Sequence, residues 1–263
     1  MFPQQLLDPL PVAAILVAFA LAAWLVFEGG YRIGRWWQAK TPEEVEGPTD
    51  MLVGSLLALL AFLLAVTMGM ASDRFDARRS LVRDEANAIG TTYLRAGFLP
   101  EPERSEARDL LREYTPLRIG TIDAGLRAAN IQRSLEIQDE LWAQAEALAA
   151  ANADSETFAL YIETLNETID VHATRVTAVV YGRVPETVVF LLFGGAILTL
   201  GMVGYSAGLT RRRSPLTATV LIVVLGAVLV LVLDLDRPQD GFLQVSQQPL
   251  LELQEQIGPP SSP

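Results

Sequence analysis

MLVGSLLALLAFLLAVTMGMASDRFDARRSLVRDEANAIGTTYLRA, residues 51–96, decides the fold. Its first twenty residues, Met51 to Met70, contain no Asp, Glu, Lys, Arg or His. A helix of that length spans the hydrocarbon of a bilayer, about 30 Å. The sequence then turns charged at Asp73 and Arg74, yet no proline interrupts it before Pro100. Phe75, Val82, Ala86, Ile89 and Tyr93 continue at heptad-like spacing, so one face stays apolar. The reading is a single helix that crosses the membrane and continues into water.

Three more apolar runs surround it: Leu10 to Phe27, Val188 to Tyr205 and Leu216 to Leu233. Each has the length of a span and none carries a charge. The residues before the first run include no base, unlike the n-region of a signal peptide, so that run too is read as a membrane helix. The fold class is therefore all-α. Four transmembrane helices, about 10–28, 51–70, 188–207 and 215–233, carry a large extramembrane helical domain inserted between helices 2 and 3. The expected boundaries are 1–70 for the first membrane pair, 71–186 for the helical domain, 187–235 for the second pair and 236–263 for a polar tail with a disordered end.

Inside the polar domain, Arg104–Arg118 is amphipathic and Ala124–Ala151 is rich in alanine and leucine, both helical patterns. Asp154 or Ser155 is placed to cap a further helix over Thr157–Tyr181. Asp76 with Arg79 and Arg83 with Asn87 stand at helical pairing distances.

Composition excludes several chemistries. There is no cysteine and a single histidine, His172, read as a surface or core residue. Thiol catalysis, disulfides and an ordinary protein zinc site are ruled out. No nucleophile, metal set or phosphate cradle accompanies the acids, so an enzyme is not expected. The net charge of −11 opposes nucleic acid. The four runs make the lipid bilayer the first partner.

The short connections carry the bases Arg32, Arg35, Lys40 and Arg211 to Arg213, while the N-terminal segment has none. The positive-inside rule puts those connections in the cytoplasm and the large domain outside. Arg74, Arg78, Arg79 and Arg83 argue for a cytoplasmic domain instead. Arg211 to Arg213 read first as a topology anchor and second as a contact for anionic lipid headgroups. Trp36 and Trp37 among these bases suit an interfacial belt. Gly54-Ser-Leu-Leu-Ala58 and Gly204-Tyr-Ser-Ala-Gly208 are small-xxx-small motifs that bring helices close.

The stretch Arg74 to Pro100, with Leu111-Arg-Glu-Tyr114, Arg118, Asn166-Glu-Thr-Ile-Asp170, Arg175 and Asp234-Leu-Asp-Arg-Pro-Gln-Asp-Gly241, resembles the bacterial bestrophin-like membrane protein family over most of the chain. That resemblance implies a homo-oligomer in the bacterial inner membrane, with an ion-conducting pore lined by the second helix. Phe62, Leu63, Val66 and Met70 are then the candidates for an apolar constriction, although Phe62 is the one aromatic where true bestrophins have several. Arg74, Asp76, Arg78, Arg79, Arg83, Asp84, Glu85 and Asn87 are candidates for a charged stalk or mouth. The bland reading of the same residues is a salt-bridged stalk. Asp234, Asp236 and Asp240 form a candidate cation site, with Ca²⁺ the only cofactor considered; helix capping is the structural alternative. The alternative function is a non-conducting scaffold or sensor whose acidic helical domain binds a partner or a divalent cation.

Overall fold

Apolar length and helix-favouring composition give helices throughout. The computed structural model describes residues 10–41, 47–120, 124–211, 214–237 and 241–259. Among these, the chain forms eight α-helices and one short 3-10 turn, with no strand. In order they are α1 (Val12–Lys40), α2 (Gly47–Arg95), the turn Ala96–Phe98, α3 (Glu103–Leu117), α4 (Ala124–Ala151), α5 (Glu156–Tyr181), α6 (Glu186–Leu209), α7 (Pro215–Asp236) and α8 (Gln248–Ile257). Four helical stretches are long and apolar enough to cross a membrane: α1, α2 with its terminal turn, α6 and α7. The protein is an integral membrane protein of all-helical class.

Two compact units share the chain, and α2 passes from one to the other between Arg74 and Phe75. The first unit takes α1, the start of α2, α6 and α7. Its core joins Phe19, Ala23, Leu60, Leu64, Leu192, Ala196, Leu200, Ile222, Leu225 and Leu229. Phe19 meets Phe193 edge to face at 5.6 Å between ring centroids. Outside that core the surface is greasy: Leu21, Leu25, Leu198, Leu216, Val223 and Val224 are all exposed. So continuous an apolar exterior belongs in lipid.

Lipid tails are as apolar as leucine, so span-on-span contact relies on close packing. Glycines supply it between α1 and α6. A Cβ on Gly204 would collide with the Phe27 carbonyl oxygen, and one on Gly208 with the Tyr31 carbonyl oxygen. One on Gly30 would strike the Gly201 carbonyl oxygen. The motif at Gly204 and Gly208 is thus an intrachain device. The motif at Gly54 is different, because a Cβ there would meet open space.

The second unit holds the rest of α2, α3, α4, α5 and α8. Its core is built by Val82, Ile89, Leu99, Leu111, Tyr114, Ile137, Leu141, Tyr161 and Leu165 with Leu250, Leu253 and Ile257. Ser155 caps α5, its Oγ accepting from the Phe158 N–H at 3.3 Å. The segment expected to be a polar tail contains α8 instead. Leu250, Leu253 and Ile257 share one helical face, and Pro249 suits the first turn. Arg112 fastens its end by donating to the Ile257 carbonyl at 2.9 Å. Residues 260–263, expected to be disordered, lie outside the described residues.

The glycine contacts give a direct test. Gly204→Val should lower resistance to unfolding in detergent by about 1–3 kcal/mol, as overpacking does. Gly54→Val should leave the unfolding midpoint of the same chain unchanged.

Candidate functional site

α2 has two faces with different fates. Leu60, Leu64, Thr67, Ala71, Arg78, Val82, Glu85 and Ile89 are buried against the chain's own helices. The opposite face runs through Leu59, Phe62, Val66, Gly69, Asp73, Asp76, Asp84, Asn87 and Leu94, all exposed. Steps of three and four residues, or of seven and eight, keep this stripe on one side of the helix. Phe62 is 64% and Val66 48% exposed, on one side a turn apart. Leu63 and Met70 sit half-buried on its flank.

The charged candidates split in the same way. Asp76, Arg79, Arg83, Asp84 and Asn87 are exposed, and Arg74 is half-buried. No ion pair joins Asp76 to Arg79, nor a side-chain bond Arg83 to Asn87; such solvated contacts bring little stability. Arg78 turns inward, donating to the Gly182 carbonyl at 3.5 Å. Glu85 is 0% exposed. These two belong to the interior of the second unit, not to the exposed stripe. The reason is register: both fall on the α2 face that already carries Val82 and Ile89.

Glu85 organises a buried polar cluster. Arg118, just past α3, donates from Nε to Glu85 Oε1 at 2.7 Å. Arg175 of α5 donates from Nη1 to the other carboxylate oxygen, Oε2, and to the Arg118 carbonyl at 3.0 Å. Its Nη2 reaches Gln247 Oε1 at 2.7 Å, an oxygen that also accepts from the Gly120 N–H at 3.3 Å. Both carboxylate oxygens are therefore engaged. Burial alone would raise the Glu85 pKa; the charges of Arg118 and Arg175, with their hydrogen bonds, outweigh it and hold the carboxyl below its ordinary value.

A neutral chain of hydrogen bonds lies beside that cluster. Gln138 Nε2 donates to the Tyr114 hydroxyl at 2.9 Å. That hydroxyl also lies within hydrogen-bonding distance of His172 Nδ1, at 3.0 Å. Arg118 stands 5.9 Å from the Tyr114 ring centroid. Burial, seconded by the Arg118 charge, pushes the His172 pKa down to about 4. Burial also raises the Tyr114 pKa. Glu85, Tyr114, Arg118, His172 and Arg175 are all buried.

The acids in the last turn of α7 act as backbone acceptors. Asp234 takes the Phe242 and Leu243 N–H groups, each at 2.8 Å. Asp236 Oδ1 accepts from the Val184 N–H at 2.7 Å, and Arg183 Nε stands 3.5 Å from its Oδ2. Arg237 reaches the Leu10 carbonyl at 2.8 Å. Asp240 lies outside the described residues. Among those described, no three His, Asp or Glu residues gather as a metal set. Sequence reading singled out Glu85, Tyr114, Arg118 and Arg175 but did not pair them, and missed Gln138 and Gln247 altogether. The two glutamines sit far along the chain from their partners, and no local spacing marks them.

Glu85→Gln should destabilise the protein by about 3–5 kcal/mol, because two buried guanidinium groups lose their counter-charge. Acid should do the same. His172 is neutral in the fold and its pKa lies below the ordinary 6.5, so the unfolded chain binds more protons as pH falls from about 6.5 towards 4. Stability is then complete above pH 6.5 and declines across that window; the lowered Glu85 adds a further loss at more acid pH. His172→Asn should flatten the decline above pH 4.5 in unfolding midpoints measured against pH, while leaving the more acid loss.

Similarity to known proteins follows this architecture. A crystal structure of a bacterial Bestrophin homolog from Klebsiella pneumoniae, in a mutant form, superposes with a TM-score of 0.69 at 16% identity, covering 94% of this chain and 97% of that one. Another structure of that homolog gives a TM-score of 0.64 at 16% identity, with 94% and 95% covered. A crystal structure of a membrane protein gives 0.67 at 15% identity, with 94% and 97% covered. These likenesses establish the fold. No curated protein matches the chain. The model of the bestrophin-like domain matches residues 16–250, nearly the full length, and the chain belongs to that family.

Proposed function

We propose that several copies of this chain assemble into an ion channel of the bacterial inner membrane, with α2 of each copy lining the pore. One observation carries the reading: Phe62 and Val66 of α2 stay exposed while Leu60, Leu64 and Thr67 of the same span are buried against the chain's own helices. In a lipid-spanning helix such a stripe faces either lipid or another subunit. It turns charged at Asp73 without leaving the helix, as a lining passing from constriction to water would.

Phe62 and Val66 form the apolar constriction, with Leu63 and Met70 on its flank. A ring of such side chains gates by excluding water. Asp76, Arg79, Arg83, Asp84 and Asn87 line the charged mouth beyond it, with Arg74 at its margin. Arg78 and Glu85 support that mouth from behind by fixing the rotation of α2. The family membership supports conduction rather than catalysis. The large helical domain lies on the side opposite the basic connections, hence outside the cytoplasm.

Planar-bilayer recording from the purified full-length protein tests this. Steady single-channel currents are expected, and Phe62→Ala with Val66→Ala should raise conductance or open time severalfold. Asn87→Asp should change the ratio of cation to anion permeability, since charged rings tune selectivity. Silent membranes at every pH and calcium concentration, from protein shown to be folded and inserted, would point to the scaffold or sensor instead.

A further inference from the structure

One end of the first unit gathers cations in an otherwise acidic chain. α1 runs well past its apolar stretch to Lys40, carrying Arg32, Arg35, Trp36 and Trp37, all exposed. α6 ends at the same level. A Cβ on Gly208 would lie 3.0 Å from the Gly34 Cα and 2.9 Å from the Arg35 N, so the two backbones touch there. Arg35 follows Gly34 directly, and Arg211 comes three residues after Gly208. Two described acids at this end are already engaged, while Glu43, Glu44 and Glu46 lie outside the described residues. Asp50 accepts the Ser206 hydroxyl, and Glu28 pairs with Arg32 at 3.2 Å.

Two details set the patch apart from scattered surface charge. Lys40 Nζ lies 3.7 Å from the Trp36 ring centroid, which holds an ammonium against an indole where the spans leave the hydrocarbon. Arg211 has φ of 54°, the left-handed conformation that a helix end ordinarily gives to glycine. Arg211 carries its charge at that helix end with an exposed side chain. An observed backbone outlier is sound ground for a functional hypothesis.

We propose that this end of α1 and α6 binds the phosphate headgroup of an anionic phospholipid. Arg35 and Arg211 supply guanidinium forks matched to phosphate oxygens. Lys40 adds a third cation, held beside the acyl boundary by Trp36, while Trp37 sits at headgroup level. A lipid is the occupant because the patch adjoins the apolar surface that acyl chains would cover. The assignment stands independently of whether α2 conducts.

Native mass spectrometry of the full-length protein tests it, in neutral detergent with equimolar phosphatidylglycerol and phosphatidylcholine. The wild-type protein should retain phosphatidylglycerol in preference. Each basic residue near an anionic lipid surface contributes about fivefold, so Arg35→Gln with Arg211→Gly should reduce the preference by about tenfold or more. Arg211→Lys should keep most of it. Arg211→Gly alone eases the backbone, so its loss of lipid is not a folding defect; helical content by circular dichroism should stay unchanged. Equal retention of the two lipids, or undiminished preference in the double variant, would overturn the proposal. So would equal thermal stabilisation by inorganic phosphate, which would make this a soluble-anion site.

Discussion

A carboxylate with no access to water holds the second unit together. Desolvating Glu85 alone would be prohibitive, and so would desolvating either arginine. Together Arg118 and Arg175 occupy both oxygens of Glu85, and Gln247 accepts from Nη2 of Arg175. Four separate parts of the chain therefore converge: α2, the end of α3, α5 and the segment before α8. Hydrophobic residues tolerate sliding of a turn; a shared carboxylate does not, because a shift would leave a buried charge alone. The cluster thus selects one rotation of α2 and one docking position for the C-terminal helix. The neutral chain from Gln138 through Tyr114 to His172 extends the same demand to α4.

The first unit obeys a different solvent. Many of its large aliphatic side chains are exposed, while several of its glycines sit where helices touch. Burying grease brings nothing where the surroundings are grease, so α1 and α6 gain from backbone proximity at Gly30, Gly34, Gly201, Gly204 and Gly208. The loop after α7 shows the companion rule for polar groups. Asp234 and Asp236 satisfy backbone N–H groups that would otherwise lack partners near the edge of the hydrocarbon.

α2 belongs to both worlds, and that is why its outer stripe bears on function. Its inner face is committed to apolar packing up to Ala71 and to buried ions at Arg78 and Glu85. Whatever the outer stripe meets must accept Phe62 and Val66 as well as Asp76 and Asn87. The proposed pore axis would do so, since a conduction path needs a dry constriction and a wet approach. The bestrophin-like fold, shared with the Klebsiella pneumoniae homolog across nearly the whole of both chains, supplies the context.

Much of this was written in the order of residues. Uncharged runs of span length fix four membrane helices, because the bilayer tolerates little else. The missing proline between Met51 and Pro100 makes α2 continuous, since nothing there breaks the hydrogen-bond ladder. Asp154 and Ser155 both offered a cap for α5, and Ser155 supplies it. Other features depended on distance through space. Local spacing at Asp76 and Arg79 suggested an ion pair, whereas Glu85 found its partners 33 and 90 residues away. The short helix α8 hid in a polar context, its Leu250, Leu253 and Ile257 too few to stand out. Of two small-residue motifs equal in sequence, only Gly204 and Gly208 face another helix. A chain can state which residues are apolar, charged or small, for those are properties of single side chains. Which of them meet, and which are left facing outward, is settled by packing, because burial is a property of pairs.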